Sequence, residues 1–149
     1  MFGTDRKTSD VLYRINGDSI YISSSKTPEQ VDGFQFIGGR DIHPTNERTY
    51  RFSIVTFPRK CVDHRKKLLP TEESRLDWVK QQGEKNGFEV ITIMEIKKET
   101  ICSQKKNFNV TAYRYDGELR ITDTEKFNEV LLKGIGSMKA YGCGMLIVA

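Results

Sequence analysis

An α+β fold built on an antiparallel sheet is what this chain of 149 residues predicts, and three observations predict it. Short alternating apolar runs recur along the chain. Two amphipathic helical stretches interrupt them. Each helical stretch stands between strand candidates rather than in a run of helices. With 37% hydrophobic and 30% charged residues, the chain is long and apolar enough for one domain or two very small ones.

The elements follow in order. Asp10 to Ile15 reads as a strand through Val11, Leu12, Tyr13 and Ile15. Asn16-Gly17 supplies a type I′ hairpin turn, whose two central residues need positive φ. Asp18 to Ser23 returns with Ile20 and Ile22 on one face. A polar stretch follows, then a short strand candidate at Phe34, Phe36 and Ile37 before Gly38-Gly39, and a loop from Arg40 to Arg48. Tyr50 to Phe57 alternates as a strand that Pro58 ends. After a basic segment reaching Pro70, Thr71 caps a helix with Glu72 and Glu73 at the positive end of its dipole. Leu76, Val79 and Gln82 share a face of that helix, with Trp78 beside them, and Asn86-Gly87 stops it.

Phe88 to Ile96 then forms a long strand. Phe108 to Tyr115 forms another, Asp116-Gly117 reads as a second hairpin turn, and Glu118 to Ile121 returns. Thr122 and Glu125 have capping-box spacing. Phe127, Val130 and Leu131 give the apolar stripe of a second helix, closed by Lys133-Gly134, and Met145 to Val148 is a buried final strand. From Tyr50 onward the order is that of a ferredoxin-like βαββαβ unit with one extra strand. Its sheet resembles the RRM type, a frequent RNA-binding scaffold. A fold does not by itself give a function.

Charge and cysteines narrow the classes. The net charge of +4 is mild, so its distribution matters more than its size. Arg59, Lys60, Arg65, Lys66 and Lys67 cluster in one segment; Lys97, Lys98, Lys105 and Lys106 flank another. The three cysteines, Cys61, Cys102 and Cys143, are widely spaced. They make no C-x-x-C pair and no zinc spacing with His43 or His64, so reduced thiols are expected, with Cys143 packed, and no metal site. No apolar run approaches the roughly 20 residues that span a bilayer, and Met1 to Lys7 lacks the apolar region of a signal peptide. A cytoplasmic location without membrane contact is the expectation.

The most informative stretch joins the last helix to the last strand: Gly134-Ile135-Gly136-Ser137-Met138-Lys139-Ala140-Tyr141-Gly142-Cys143-Gly144. It is not a phosphate-binding P-loop, because no G-K-[ST] follows four residues after a glycine, and it runs from helix to strand, the reverse of a dinucleotide fingerprint. Its glycines permit positive φ and close backbone approach. Exposed amides there can form an anion-binding concavity, to which Lys139 adds a cation, Ser137 a hydroxyl and Tyr141 a stacking face. A tight helix-to-strand connection would account for the glycines equally well.

GIGSMKAYGCGMLIVA resembles the C-terminal glycine-rich motif of the CasE family of CRISPR repeat-processing endoribonucleases, approximately G-I-G-x-x-K-x-x-G-C-G-L-L. Gly134, Ile135, Gly136, Lys139, Gly142, Cys143, Gly144 and Leu146 match it, with Met145 in place of a leucine. Lys66-Lys67-Leu68-Leu69-Pro70 with Leu76, Trp78 and Gly87-Phe88 is similar to the family's basic segment and following helix. Tyr115 to Asp123 is similar to its later hairpin, and Val11-Leu12-Tyr13-Arg14 to its first.

This resemblance implies two ferredoxin-like domains in tandem: here a partial N-terminal unit over residues 1–48 and a C-terminal domain over residues 49–149. It implies binding of the stem-loop of a CRISPR repeat and its cleavage without metal or cofactor, by attack of a ribose 2′-OH on the adjacent phosphate. It also implies membership of the Cascade complex of antiviral defence, with other Cascade subunits as partners. Gly134, Gly136, Ser137 and Lys139 are then expected near phosphates. Arg59, Lys60, Arg65, Lys66, Lys67, Lys105 and Lys106 are expected along the RNA backbone.

The family's proton-transfer histidine stands in a pattern like H-x-L-F, whose last two residues align with Met1-Phe2. The first strand, first helix and histidine are therefore unmatched, and the catalytic residue is unassigned. His43 and His64 lie elsewhere and read as surface histidines. Three readings remain open: an endoribonuclease whose start is absent or carried by another polypeptide, a non-catalytic RNA-binding Cascade subunit, and a degenerate homologue that interferes with Cascade. The incomplete N-terminal unit would expose a strand edge and an apolar face, inviting packing against the rest of the chain or self-association.

Overall fold

The structure, a computed structural model, describes residues 11–26, 32–33, 35–39 and 41–149, and the backbone alone of Ser103. Its centre is a four-stranded antiparallel sheet of β3 (Thr49–Thr56), β6 (Phe88–Ser103), β7 (Phe108–Ile121) and β8 (Ile147–Val148), in the order β6-β7-β3-β8. Helices α1 (Glu72–Lys85) and α2 (Thr124–Lys133) complete the βαββαβ order. The first strand of the unit is central, between the third and the fourth, which is the ferredoxin-like arrangement expected.

Alternation along the strands sends Phe52, Ile54, Tyr115, Leu119 and Ile121 to the helical face. There they meet Val79 of α1 and Phe127, Val130 and Leu131 of α2. Phe88 and Phe127 meet edge to face at 5.8 Å, and complete burial of each such ring contributes roughly 1.5–3 kcal/mol. The Thr71 side chain accepts from the Ser74 amide and Ser74 returns a bond to the cap, so α1 starts where its sequence signal puts it. It ends at Asn86, with Gly87 at φ 83°.

Five local readings need correction. The first hairpin, β1 (Val11–Asn16) with β2 (Ser19–Ser24), pairs Asn16 with Ser19, so its turn is Gly17-Asp18 rather than Asn16-Gly17. Gly17 alone takes positive φ (60°), as in turns led by glycine. Phe36 and Ile37 form no strand and are 77% and 85% exposed; Phe34, like Asp10, lies outside the described residues. The basic segment is a two-stranded hairpin, β4 (Arg59–Val62) with β5 (Arg65–Leu68). Asp63 and His64 form its tip, both at positive φ (50° and 60°), the I′ geometry in a pair without glycine.

Asp116-Gly117 is no turn, because β7 runs unbroken through it. β6 is bulged opposite, with register shifts at Val90/Thr92 and Glu95/Lys97. Its backbone presses so close that a Cβ on Gly117 would lie 2.0 Å from the Thr92 carbonyl oxygen. The N-cap of α2 is Asp123, accepting from the Lys126 amide, rather than Thr122. Asp123 stands one residue nearer the apolar stripe, and its carboxylate is the better acceptor at the dipole's positive end.

The β1–β2 hairpin packs on the rest of the chain. Leu12 and Arg14 are buried, whereas Ile15, Ile20, Tyr21 and Ile22 are exposed. Arg14 donates to Ser53 Oγ at 2.8 Å, and Ser53 donates to Asp116 at 2.6 Å. Burial, then the nearby Arg114, lowers the Arg14 pKa. Burial pushes the Asp116 carboxyl up, but hydrogen bonds from Arg114 and Ser53 hold it below the usual range. Cys143 is buried, as expected, its thiol pushed up to about 12 by burial; Cys61 and Cys102 are free and exposed.

Candidate nucleic-acid interface

The glycine-rich loop is shaped by chirality before chemistry. Gly134, Gly136, Gly142 and Gly144 all take φ between 74° and 89°, a region L-residues rarely enter, and Met138 joins them at 67°. Two bonds pin the loop's return to the sheet: Ile135 N–H to the Gly144 carbonyl at 2.9 Å, and Gly144 N–H to the Val55 carbonyl at 2.7 Å. A short 3-10 turn, Lys139–Tyr141, lies between them. Among the backbone hydrogen bonds of the described residues, none is donated by the amides of Gly136, Ser137 or Met138. Three consecutive amides without a backbone acceptor are what an anion-binding concavity requires.

The first hairpin braces this loop from one side. Leu12 packs where a Cβ on Gly134 would be, with its methyl carbons 3.1 Å away. The Tyr13 ring lies 3.3 Å from the corresponding point on Gly142, and its hydroxyl donates to the Ala140 carbonyl. On another side, Phe108 meets Tyr141 edge to face at 5.2 Å. That contact ties the loop to the ribbon of β6 and β7 that extends past β3, whose turn carries Lys105 and Lys106.

The β4–β5 hairpin closes a third side. Its alternation puts Arg59, Cys61 and Lys66 on one face and Lys60, Arg65 and Lys67 on the other. Among the described residues none of its five cations forms an ion pair with a carboxylate. The inner face meets Trp78 and Gln82 of α1 and Gly136 of the loop around a pocket of about 410 Å³. A Cβ on Gly136 would stand 3.1 Å from Thr56 Oγ1, 3.2 Å from the Trp78 ring and 3.7 Å from an Arg59 guanidinium nitrogen. The buried hydroxyls of Thr56 and Ser137 have no hydrogen-bond partner among the described residues.

The loop residues Gly134, Gly136, Ser137 and Lys139 thus share one loop. Gly136 draws Arg59 and Lys66 to it, while Lys60, Arg65 and Lys67 point from the hairpin's other face. Lys105 and Lys106 lie on a separate turn, linked through Phe108 and Tyr141. Sequence reasoning missed Thr56, Cys61 and Gln82 as neighbours of the loop. Their strand and helix positions carry no signal of it, since the convergence joins segments far apart in the chain. His43 and His64 are both exposed, His64 at the tip of the basic hairpin. No helix among the described residues is long and apolar enough to cross a membrane.

The sequence model of a family described as "CRISPR associated protein" matches residues 1–149. No curated protein matches the chain. Among solved structures, the chain is similar to the CRISPR endoribonuclease Cse3 bound to a 19-nucleotide RNA, at 21% identity and a TM-score of 0.86, covering 97% of this chain and 80% of that one. It is similar to the CRISPR-associated protein Cas6e from Escherichia coli str. K-12, at 17% identity and a TM-score of 0.77, covering 94% and 84%. It is also similar to a chain of a CRISPR RNA-guided surveillance complex, at 25% identity and a TM-score of 0.64, covering 93% and 75%.

Proposed function

The chain belongs to the CRISPR-associated protein family, and on that premise we propose that it binds the stem-loop of a CRISPR repeat RNA, as a CasE-like subunit of a Cascade complex in the cytoplasm. The observation that carries this reading is the approach of Arg59 and Lys66, on the inner face of β4–β5, to Gly136 of the glycine loop, where among the described residues the amides of Gly136, Ser137 and Met138 donate no backbone hydrogen bond. Cations track a phosphate backbone at any sequence, and amides at positive-φ glycines admit a phosphate oxygen closely. The RNA-bound Cse3 and the surveillance complex, both similar in fold, support the same reading. The two-part organisation, a partial N-terminal unit over residues 1–48 and a C-terminal domain over residues 49–149, belongs to the proposal.

Processing is the second part of the reading. In the resembling family the substrate's own 2′-OH attacks the adjacent phosphate, so the protein's task is to align that oxygen and move protons. Amides, hydroxyls and cations gathered around the glycine loop suit that alignment. The described residues offer exposed histidines and no histidine beside the loop. Hairpin binding with weak or absent cleavage, as in a non-catalytic Cascade subunit, is therefore favoured for this chain.

The test is binding of a labelled repeat hairpin against an unstructured RNA of equal length. Preference for the hairpin, lost progressively with salt and weakened in Lys139→Ala, is the expected outcome. Equal affinity for both RNAs, with no effect of that substitution, would remove the stem-loop reading.

A further inference from the structure

The pocket between β4–β5, α1 and the glycine loop holds more than phosphate chemistry. Its lining is Arg59, Cys61, Lys66, Trp78, Gln82 and Gly136: two cations, a thiol, an aromatic ring, a side-chain amide and a glycine backbone. Beneath Gly136 lies the Thr56 hydroxyl, completely buried and without a partner among the described residues. Buried hydroxyls are normally satisfied, so this one calls for an acceptor. The Arg59 guanidinium stands over the same point, 3.7 Å from where a Gly136 Cβ would be. It is the end of a flexible side chain and can swing aside.

We propose that this pocket takes a single unpaired nucleotide of the bound RNA. Its base stacks on Trp78 and its edge is met by the Gln82 amide. Its phosphate lies between Arg59 and Lys66 and accepts from the Thr56 hydroxyl once Arg59 has moved. This deepens the stem-loop reading and rests on it. A paired base presents no free face to an aromatic ring, because its faces are stacked within the helix, whereas single-stranded bases splay onto aromatic side chains. A pocket of about 410 Å³ admits one nucleotide and no stem. The hairpin's alternation fits a division of labour. Lys60, Arg65 and Lys67 lie on the outer face for the stem backbone, and Arg59 and Lys66 on the inner face for the nucleotide beyond its end.

Trp78 is the chain's single tryptophan, so its fluorescence reports on this pocket alone. The chain is titrated with a blunt repeat hairpin, with the same hairpin bearing a short single-stranded flank, with that flank made abasic, and with adenosine monophosphate. RNA binding is followed separately by anisotropy of a label on the loop. The expected result is quenching of Trp78 by the flanked hairpin alone, which also binds roughly 10-fold tighter than the blunt one, as stacking of one base allows. Gln82→Ala, which keeps the tryptophan, should narrow that difference.

Equal binding of both hairpins with unmoved fluorescence overturns the pocket and leaves the stem-loop reading standing. An abasic flank as effective as the natural one overturns the stacking. Full quenching by adenosine monophosphate, without any advantage for the flank, assigns the pocket to a free nucleotide and overturns the proposal. If neither hairpin binds, the proposed function falls and the pocket assignment with it.

Discussion

The Arg75 guanidinium grips the Glu95 carboxylate through two hydrogen bonds of 2.8 Å, one from Nε and one from Nη2, tying α1 to the bulged part of β6. Arg75 also donates to the carbonyls of Leu69 and Pro70, where β5 leads into α1, and lies 4.1 Å over the Tyr113 ring. Tyr115 donates to the same carboxylate at 2.9 Å. One buried cation thus fixes the root of the basic hairpin to the sheet. Its hydrogen bond to Glu95 raises its own pKa, and the same bond holds the Glu95 carboxyl below its usual range.

Arg75→Ala should destabilise the chain by about 3 kcal/mol, because it leaves the largely buried Glu95 carboxylate without its cation and with the Tyr115 hydroxyl as its donor. Urea denaturation followed by circular dichroism measures it. Arg75→Ala with Glu95→Gln together should recover part of the loss. A change under about 1 kcal/mol for the single variant would mean that the pair is solvated in solution.

The same pair sets an acid dependence. A carboxyl whose folded pKa is depressed contributes stability that is fully present above its unfolded value, 4.5 for Glu95, and is lost as pH falls through the folded value. Melting temperature should therefore fall below that pH more steeply in the natural chain than in Glu95→Gln. Parallel curves for the two proteins would remove Glu95 from the acid transition.

Gly117→Ala should cost about 1–3 kcal/mol or prevent folding, since the new Cβ would meet the Thr92 carbonyl oxygen at 2.0 Å and β6 must shift to admit it. The neighbouring Asp116→Ala, by contrast, removes the acceptor of Ser53 and Arg114 without crowding β6. Thermal melts of the two variants separate backbone crowding from lost hydrogen bonding. An unchanged melt for Gly117→Ala would contradict the bulged register.

That glycine marks where local reading stops. Asp-Gly is turn chemistry in isolation, but β3 and β6 pair with β7 on both sides and supply the hydrogen bonds that a turn would forgo. The helices were legible because their signals are local: the Thr71 cap, the Asn86-Gly87 stop, and the stripe of Phe127, Val130 and Leu131. The basic hairpin was not. Its strands carry lysines on both faces, so no apolar alternation announces them, and its tip is Asp63-His64 rather than a glycine pair. The glycine loop was legible as a site by its residue types. Its neighbours Thr56, Cys61 and Gln82 were not, because only the crossing of β3, β4 and α1 near Gly136 assembles them.

Affinity for the hairpin should fall steeply with salt, since each neutralised phosphate releases counterions. Lys67→Ala, on the outer face of β4–β5, should weaken binding to all stems alike and lower the slope of log affinity against log salt by about 1. Gly136→Val should weaken binding more by blocking backbone approach, its Cβ lying 3.1 Å from Thr56 Oγ1. Anisotropy titrations over a salt series decide this, with circular dichroism confirming that each variant is folded. Unchanged affinity in both folded variants would make the loop and hairpin structural.

Cleavage is the sharpest question, and the two histidines give it a concrete form. A general acid or base must reach the proton it moves and is held in one tautomer by a second hydrogen bond. His43 lies exposed in an irregular stretch and His64 at the exposed tip of the basic hairpin. Neither makes a side-chain hydrogen bond or an ion pair among the described residues. Labelled repeat RNA incubated with the chain in excess chelator should stay bound and be cut poorly or not at all, and His43→Ala and His64→Ala should leave whatever cleavage is present within about twofold. Efficient metal-free cleavage that disappears in one of those variants would instead identify that histidine as the proton-transfer group.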